Sequence, residues 1–590
     1  MTAVGTLEGK GGDTVDETRY VVGVDFGTES GRAVLIDVAD GHELATEVYK
    51  YVNGVIDERL PAPDDDVVLG PDWALQDPND YIETFKHAVP AVLARAGVDP
   101  SRVIGIGIDF TSCTMLPAKA DGTPLCMLDE YRREPHAWVK LWKHHAAQPE
   151  ADDVNRVAAE MGETWPARYG GKISSEWFIP KSLQILREAP EVYRAADRLI
   201  EAADWVVWQL TGVETRNNCT AGYKAIWSPE EGFPKRAFFE ALDPAFADFV
   251  DEKMSRSIVN IGECAGRLTS QAAAWTGLPE GIAVAVANVD AHVSAPASTV
   301  TETGTLVAIM GTSTCHIVLA DSAPVIPGAC GVVRDGVIPG LFGYEAGQSA
   351  VGDIFGWFVE HCVPPLYHER ARARGISVHE VLEEEAAALE PGQSGLLAID
   401  WWNGNRSVLV DADLSGVLIG MTLATTAPEI YRALIEATAF GTRMIIDAFE
   451  KGGVSIHTVV ACGGLPERNH MLMQIYADVT GRTYRVAASA QTPALGSAMF
   501  AAVAAGEKAG GYASIEDAAR RMARLRDDAY QPIEANHCTY DKLYAEYVRV
   551  HDLFGRGGDP AVKTLRRLRR EVLEAARPVE AVAATAGAGA

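Results

Sequence analysis

The sequence predicts an α/β protein of two domains facing a cleft, and three observations carry that expectation. Residues 21–38, VVGVDFGTESGRAVLIDV, are two apolar strand-like runs joined by a Gly-rich turn, which is a hairpin pattern. Residues 305–314, TLVAIMGTST, again pass from an apolar run into a Gly-Thr turn, beyond the middle of the chain. Two more apolar runs, VIGIGID at 103–109 and IAVAVANVD at 282–290, each end in a carboxylate. Long helical stretches separate these strands. In residues 429–451, Tyr431, Leu434, Ile435, Ala439 and Met444 recur near helical spacing. Alternating strands and helices imply layered α/β units, and the recurring turn implies a duplication rather than a short repeat.

The composition narrows what such a fold can do. With 590 residues, the chain is long enough for several domain-sized units. A formal net charge of −29 excludes sequence-independent nucleic-acid binding, which needs a basic surface to displace counterions. It leaves room for an anionic nucleotide held on backbone N–H groups and magnesium. No run of about twenty apolar residues appears, so no membrane span is expected. Residues 1–18 are polar and Gly-rich, lack the apolar core of a signal peptide, and are expected to be a disordered lead. The expected units are then 19–300, 301–557, and a tail at 558–590 that is helical and then disordered. The nine cysteines are scattered without a CxxC pair, which points to reduced thiols and a cytoplasmic protein.

A phosphoryl-transfer enzyme needs a phosphate cradle, a magnesium anchor, a base near the acceptor hydroxyl, and exclusion of water. Residues 25–32, DFGTESGR, offer the first two. Gly27 and Gly31 permit positive φ and close approach to an anion, Thr28 and Ser30 add hydroxyls, Arg32 adds a cation, and Asp25 could orient a magnesium-bound water. An ordinary polar hairpin is the alternative reading. No GxxxxGK[ST] sequence is present. Gly311 and Thr312 form a second such turn, or an ordinary strand exit. Gly463 and Gly464, with Asn469 beyond, would let a flat adenine or ribose lie on the backbone, or serve close packing. Asp290, at a strand mouth, could accept a hydroxyl proton, or cap the following helix.

Taken in order, Asp-Phe-Gly-Thr-x-Ser, Val-Asp-Ala-His, Met-Gly-Thr-Ser-Thr and the late Gly-Gly resemble the FGGY carbohydrate kinases, over roughly residues 20–554. The resemblance implies two ribonuclease-H-like (actin/hexokinase-like) domains around a central cleft, with ATP and Mg2+ as cofactors. It places Asp25 at the magnesium and Thr28, Ser30 and Arg32 by the γ-phosphate. Gly311 and Thr312 then face the β- and γ-phosphates, Gly463, Gly464 and Asn469 line the adenosine pocket, and Asp290 is the base.

Within that family, segments 109–114, 136–143, 171–178, 221–227 and 343–349 resemble those of ribulokinases. That likeness makes Ser112, Trp142, Lys224, Asp290 and Glu345 contacts to a ketopentose. It implies phosphorylation of L-ribulose to L-ribulose 5-phosphate in L-arabinose catabolism, with D-ribulose, ribitol or xylulose as alternative substrates. Some ribulokinases carry a small apolar residue at Ser112, so its hydroxyl is expected to bear on which stereoisomer fits. A non-catalytic sugar sensor on the same scaffold would have dispensed with the base or the turns. An Hsp70-like chaperone would need a peptide-binding domain after Phe554. The expected partners are the ketopentose and, as an allowed assembly, a second copy in a homodimer, with no nucleic acid and no membrane. His144-His145, His361-Cys362 with His368, the aromatic stretch 401–405 and the Arg-rich stretch 565–570 lack a ligand set or a role that would make them sites.

Overall fold

A computed structural model describes residues 18–61 and 67–575. Apart from Thr18, the lead expected at 1–18 lies outside the described residues, as does the tail beyond residue 575. Two seven-stranded sheets organise the chain. The first contains β1 (Tyr20–Phe26), β2 (Ser30–Asp37), β3 (Glu43–Lys50), β4 (Val103–Phe110), β5 (Cys264–Arg267), β6 (Ala283–Ala285) and β7 (Asn288–Val289). Its order is β5-β6-β4-β1-β2-β3, with β7 also paired to β4. The second contains β8 (Thr305–Met310), β9 (Thr314–Ala320), β10 (Gly331–Arg334), β11 (Phe342–Gln348), β12 (Thr458–Cys462), β13 (Thr483–Ala487) and β14 (Leu525–Tyr530), in the order β10-β11-β9-β8-β12-β13-β14.

The two sheets are the same design. In each, three antiparallel strands (β3-β2-β1 and β11-β9-β8) are followed by two parallel additions (β4, β6 and β12, β13) and an antiparallel edge (β5 and β14). The hairpin at 21–38 and the strand-turn at 305–314 are therefore the matching first hairpins of a duplicated fold. The central strands are buried on both faces, which is why they read as unbroken apolar runs. Residues 111–260 form most of an inserted lobe on the first sheet, with its own aromatic core around Trp165, Trp177, Phe178, Phe239 and Phe249.

Four helices position the site. They are α1 (Asn218–Lys224), α2 (Asp290–Ala297), α3 (Val378–Ala387) and, late in the chain, α4 (Thr492–Ala505). Helix α2 leaves the first sheet and packs on β8 and β9 of the second, while α4 returns from the second half to pack on β1 and β4 of the first. The strands of the first sheet thus precede residue 300 and those of the second follow it, while their covering helices cross between them. Glycine makes the crossing tight. A Cβ on Gly107 of β4 would lie 1.9 Å from the Ser497 carbonyl oxygen, and one on Gly496 would lie 2.1 Å from the Val293 carbonyl oxygen. Gly107→Val is accordingly expected to destabilise by about 3 kcal/mol or more. A thermal melt within about 2 °C of the parent would show that α4 yields instead.

Among the described residues no helix is long and apolar enough to cross a membrane, and the nine cysteines are unpaired. No group of three or more His, Cys, Asp or Glu among the described residues could alone hold a metal ion.

Candidate active site

The site forms where parallel strands end side by side. Asp25 of β1 stands in register with Asp109 of β4, and Asp109 with Asn288 of β7. Asp290 follows two residues later, at the first turn of α2. Three carboxylates therefore gather at the ends of neighbouring strands. Burial raises the Asp25 carboxyl, opposed by Arg32, whose Nη1 donates to Asp25 Oδ2 at 3.1 Å. Burial and the Asp25 charge push Asp109 well above the carboxylate range. Ser497 of α4 donates to Asp109 Oδ2, while Oδ1 has no hydrogen-bond partner among the described residues.

Burial, then the neighbouring Asp25 and Glu345 charges, raise Asp290 to about 7, against lowering by the Ala291 N–H and Lys224. Asp290 is not the helix cap that one reading of the sequence allowed. The cap position is Val289, and the Asp290 carboxylate accepts a bond from the adjacent Ala291 N–H at 2.6 Å.

Both glycine turns close as tight hairpins. Gly27 N–H donates to the Ser30 carbonyl at 3.0 Å, and Gly311 N–H to the Ser313 carbonyl at 2.9 Å. Thr28 and Ser30 are half-exposed, and Gly311 and Thr312 are exposed. Gly27 and Gly31 permit positive φ, but neither adopts it. Gly31 is instead demanded by packing, because a Cβ there would strike the Thr84 side chain at 2.4 Å. Gly463 does need the left-handed region, with φ of 96°, and a Cβ on it would meet the Met310 carbonyl oxygen at 2.5 Å. Since Ile309 of β8 pairs with Cys462 of β12, the Gly463-Gly464 step lies beside the Gly311 turn. Space opens around Gly464, where a Cβ would meet nothing within 4 Å. Asn469 is buried. Its Oδ1 caps the next helix through Leu472 N–H at 2.8 Å, and its Nδ2 donates to Glu383 of α3 at 2.7 Å.

On the other side, Lys224 ends α1 in the first domain and Glu345 lies on β11 in the second. Lys224 Nζ donates to both Glu345 oxygens at 3.0 Å, and both residues are buried. The same ammonium sits 5.5 Å from the centre of the Trp177 ring. Burial alone would raise Glu345, but the Lys224 and Arg406 cations outweigh it and hold the carboxyl at about 2. Tyr223 ties the domains beside this pair, donating to the Gly343 carbonyl at 2.6 Å. Trp142 Nε1 donates to Thr28 Oγ1 at 3.0 Å and so joins the expected sugar wall to the first glycine turn. Ser112 is half-buried on the loop after β4.

The Asp290 carboxyl thus feels the charges of Asp25, Glu345 and Lys224. The second turn lies near Asp290, since α2 packs on β8 and β9, and the Asp290 charge reaches Cys315 one residue into β9. Gly463, Gly464 and Asn469 lie further along the second sheet. A hollow of about 540 Å³ in the inserted lobe, lined by Arg187, Tyr193, Arg194 and Lys253 among others, contains none of these residues.

Sequence reasoning assigned no role to three residues found here. Asp109 had a signal, because its run ends in a carboxylate as the Asp25 strand does. His292 was quoted only within a motif, yet its ring is fully buried, 3.6 Å from Glu345, and lowered by burial to about 4. Arg406 had no signal. It follows the aromatic stretch 401–405, whose Trp401 is a fully buried core residue, and its guanidinium reaches Glu345 Oε1 at 2.5 Å.

A duplicated, interlocked α/β fold with carboxylates and glycine turns at its strand ends defines a two-domain phosphotransferase scaffold. The sequence profile of the N-terminal domain of the FGGY family of carbohydrate kinases matches residues 20–296, and that of the C-terminal domain matches residues 306–505. The chain belongs to the FGGY family of carbohydrate kinases. It is 57% identical to the ribulokinase of Halalkalibacterium halodurans over 552 residues, covering 94% of this chain and 98% of that one. It is 54% identical to the ribulokinase of Mycolicibacterium smegmatis over 551 residues, covering 93% and 96%. Among solved structures, the fold is similar to a ligand-bound xylulose kinase from Lactobacillus acidophilus (TM-score 0.74, 17% identity, 91% and 99% covered). It is also similar to a Plasmodium falciparum glycerol kinase with ADP (TM-score 0.70, 14% identity, 90% and 98% covered).

Proposed function

We propose that this protein is a ribulokinase that transfers the γ-phosphoryl group of ATP to the terminal hydroxyl of L-ribulose. The observation that carries the reading is the Asp290 carboxylate. Burial and the Asp25 and Glu345 charges raise it to about 7, and a base of that strength removes a proton at neutral pH. The relatives named ribulokinase, aligned over nearly the whole chain, support ribulose as the substrate.

In the reaction, Lys224 and Glu345 orient the sugar hydroxyls and Trp142 packs against its C–H face. Asp290 takes the proton of the terminal hydroxyl as that oxygen bonds to the γ-phosphorus. The bond from the γ-phosphorus to the β,γ-bridging oxygen breaks, and its electron pair leaves with ADP. Thr28, Ser30, Arg32, Gly311 and Thr312 meet the phosphates from the two turns, and Gly463, Gly464 and Asn469 border the adenosine. The donor set suits magnesium, which is commonly held by one or two carboxylates together with substrate phosphates. Here Asp25 and the unpartnered Asp109 Oδ1 would hold it, and the ion would offset charge on the phosphates. Domain closure over the cleft would expel water. The unpaired cysteines support a cytoplasmic setting.

A coupled ADP-release assay across pentuloses and pentitols tests this reading. L-ribulose is expected to show a kcat/KM roughly tenfold or more above xylulose and ribitol. Equal or better turnover of another pentulose would reassign the substrate. Ser112→Ala is the variant expected to shift that ranking.

A further inference from the structure

We propose that Arg406 is a positioning residue for ketopentose binding: it fixes Glu345 so that the donors of Lys224 are free to reach the sugar. This rests on the reading of Lys224 and Glu345 as sugar contacts.

The cluster holds one carboxylate and two cations. Lys224 alone satisfies Glu345, with Nζ 3.0 Å from each oxygen. A buried pair closed on itself in this way offers little to an incoming hydroxyl, because each group would have to give up its partner. Arg406 changes that balance. Its Nη2 donates to Glu345 Oε1 at 2.5 Å, from a planar guanidinium whose donors are fixed relative to one another.

The support behind Arg406 comes from the strand that carries Glu345. Ser407 N–H donates to the Gly347 carbonyl at 3.1 Å, and Gly347 N–H donates to Ser407 Oγ at 3.2 Å, two residues beyond Glu345. Asn405 and Asp411 exchange two backbone bonds of 2.8 Å, and Asn405 Oδ1 accepts from Leu409 N–H at 2.8 Å. Arg406 and Glu345 are therefore a rigid unit of the second domain, whereas Lys224 arrives from the first. The Arg406 side chain is 29% exposed, against 2% for Lys224 and 4% for Glu345. It is the most exposed member of the cluster. With Arg406 holding the carboxylate, Lys224 can turn N–H donors to a sugar oxygen without leaving Glu345 uncompensated.

The test uses the full chain, with L-ribulose and ATP varied separately. Arg406→Met is expected to raise the KM for L-ribulose about tenfold or more, the scale of one charged hydrogen bond, with the KM for ATP within about twofold of the parent. Arg406→Lys, which returns a cation to Glu345, is expected to recover most of the loss. If Arg406→Met does not fold, Arg406→Gln carries the same expectation. An unchanged KM for L-ribulose, a KM for ATP rising in step, or a lysine variant no better than methionine would overturn the proposal. Lys224→Met separates the two layers of the argument. If it raises the KM for L-ribulose while Arg406→Met does not, only the Arg406 assignment fails. If neither does, the sugar site itself is wrongly placed.

Discussion

Asp290→Asn is expected to lower kcat by roughly 10²–10⁴-fold while leaving the affinity for L-ribulose close to that of the parent. The amide keeps the shape of the carboxyl and cannot accept the hydroxyl proton. Near-normal kcat would remove Asp290 as the base. In the parent, kcat/KM should fall as pH drops below about 7, because the raised carboxyl becomes protonated there. The same shift predicts an effect on stability. The Asp290 pKa is higher in the folded protein than the usual 3.8, so ionisation in place disfavours folding. That penalty is absent below pH 3.8, grows as pH rises towards 7, and is complete above it. The melting temperature gained by Asp290→Asn should therefore be larger at pH 8 than at pH 5, as differential scanning calorimetry at the two pH values would show. A gain that shrinks as pH rises would contradict the assignment.

Glu345→Gln is expected to be the most damaging single change outside the base, costing about 3–5 kcal/mol of stability and most sugar binding. It leaves Lys224 fully buried beside Arg406, two cations without their shared carboxylate. Lys224→Met should cost less, because Arg406 remains bonded to Glu345. Urea unfolding of the two variants decides this, and equal losses would mean that Arg406 does not hold the carboxylate.

Much of this site was legible because local chemistry leaves local marks. The two glycine turns, the apolar strands ending in Asp25, Asp109 and Asp290, and the glycine pair at 463–464 all lie within short windows where hairpin or strand patterns apply. What stayed hidden is long-range. The Ser497–Asp109 bond joins residues 388 apart, and Arg406 meets Glu345 across 61 residues. No periodicity connects such pairs. Helix α4 is apolar nearly all round, as a helix buried on several sides is, and that pattern does not say which sheet it covers. The role of Gly31 stayed hidden for a related reason. A glycine kept because Thr84 presses on it looks, in sequence, the same as one kept for its backbone angle.

The exchange of helices between the two sheets has a consequence for the chain as a whole. Severed near residue 300, the first half would lose the segment 492–505 that shields β1 and β4, and the second half would lose the α2 surface lying on β8 and β9. Each fragment would present a broad oily face to water. The duplicated halves, alike in strand order, are thus no longer separable modules but a mutual clasp, and any rebuilding of this enzyme from parts must carry both crossing segments together.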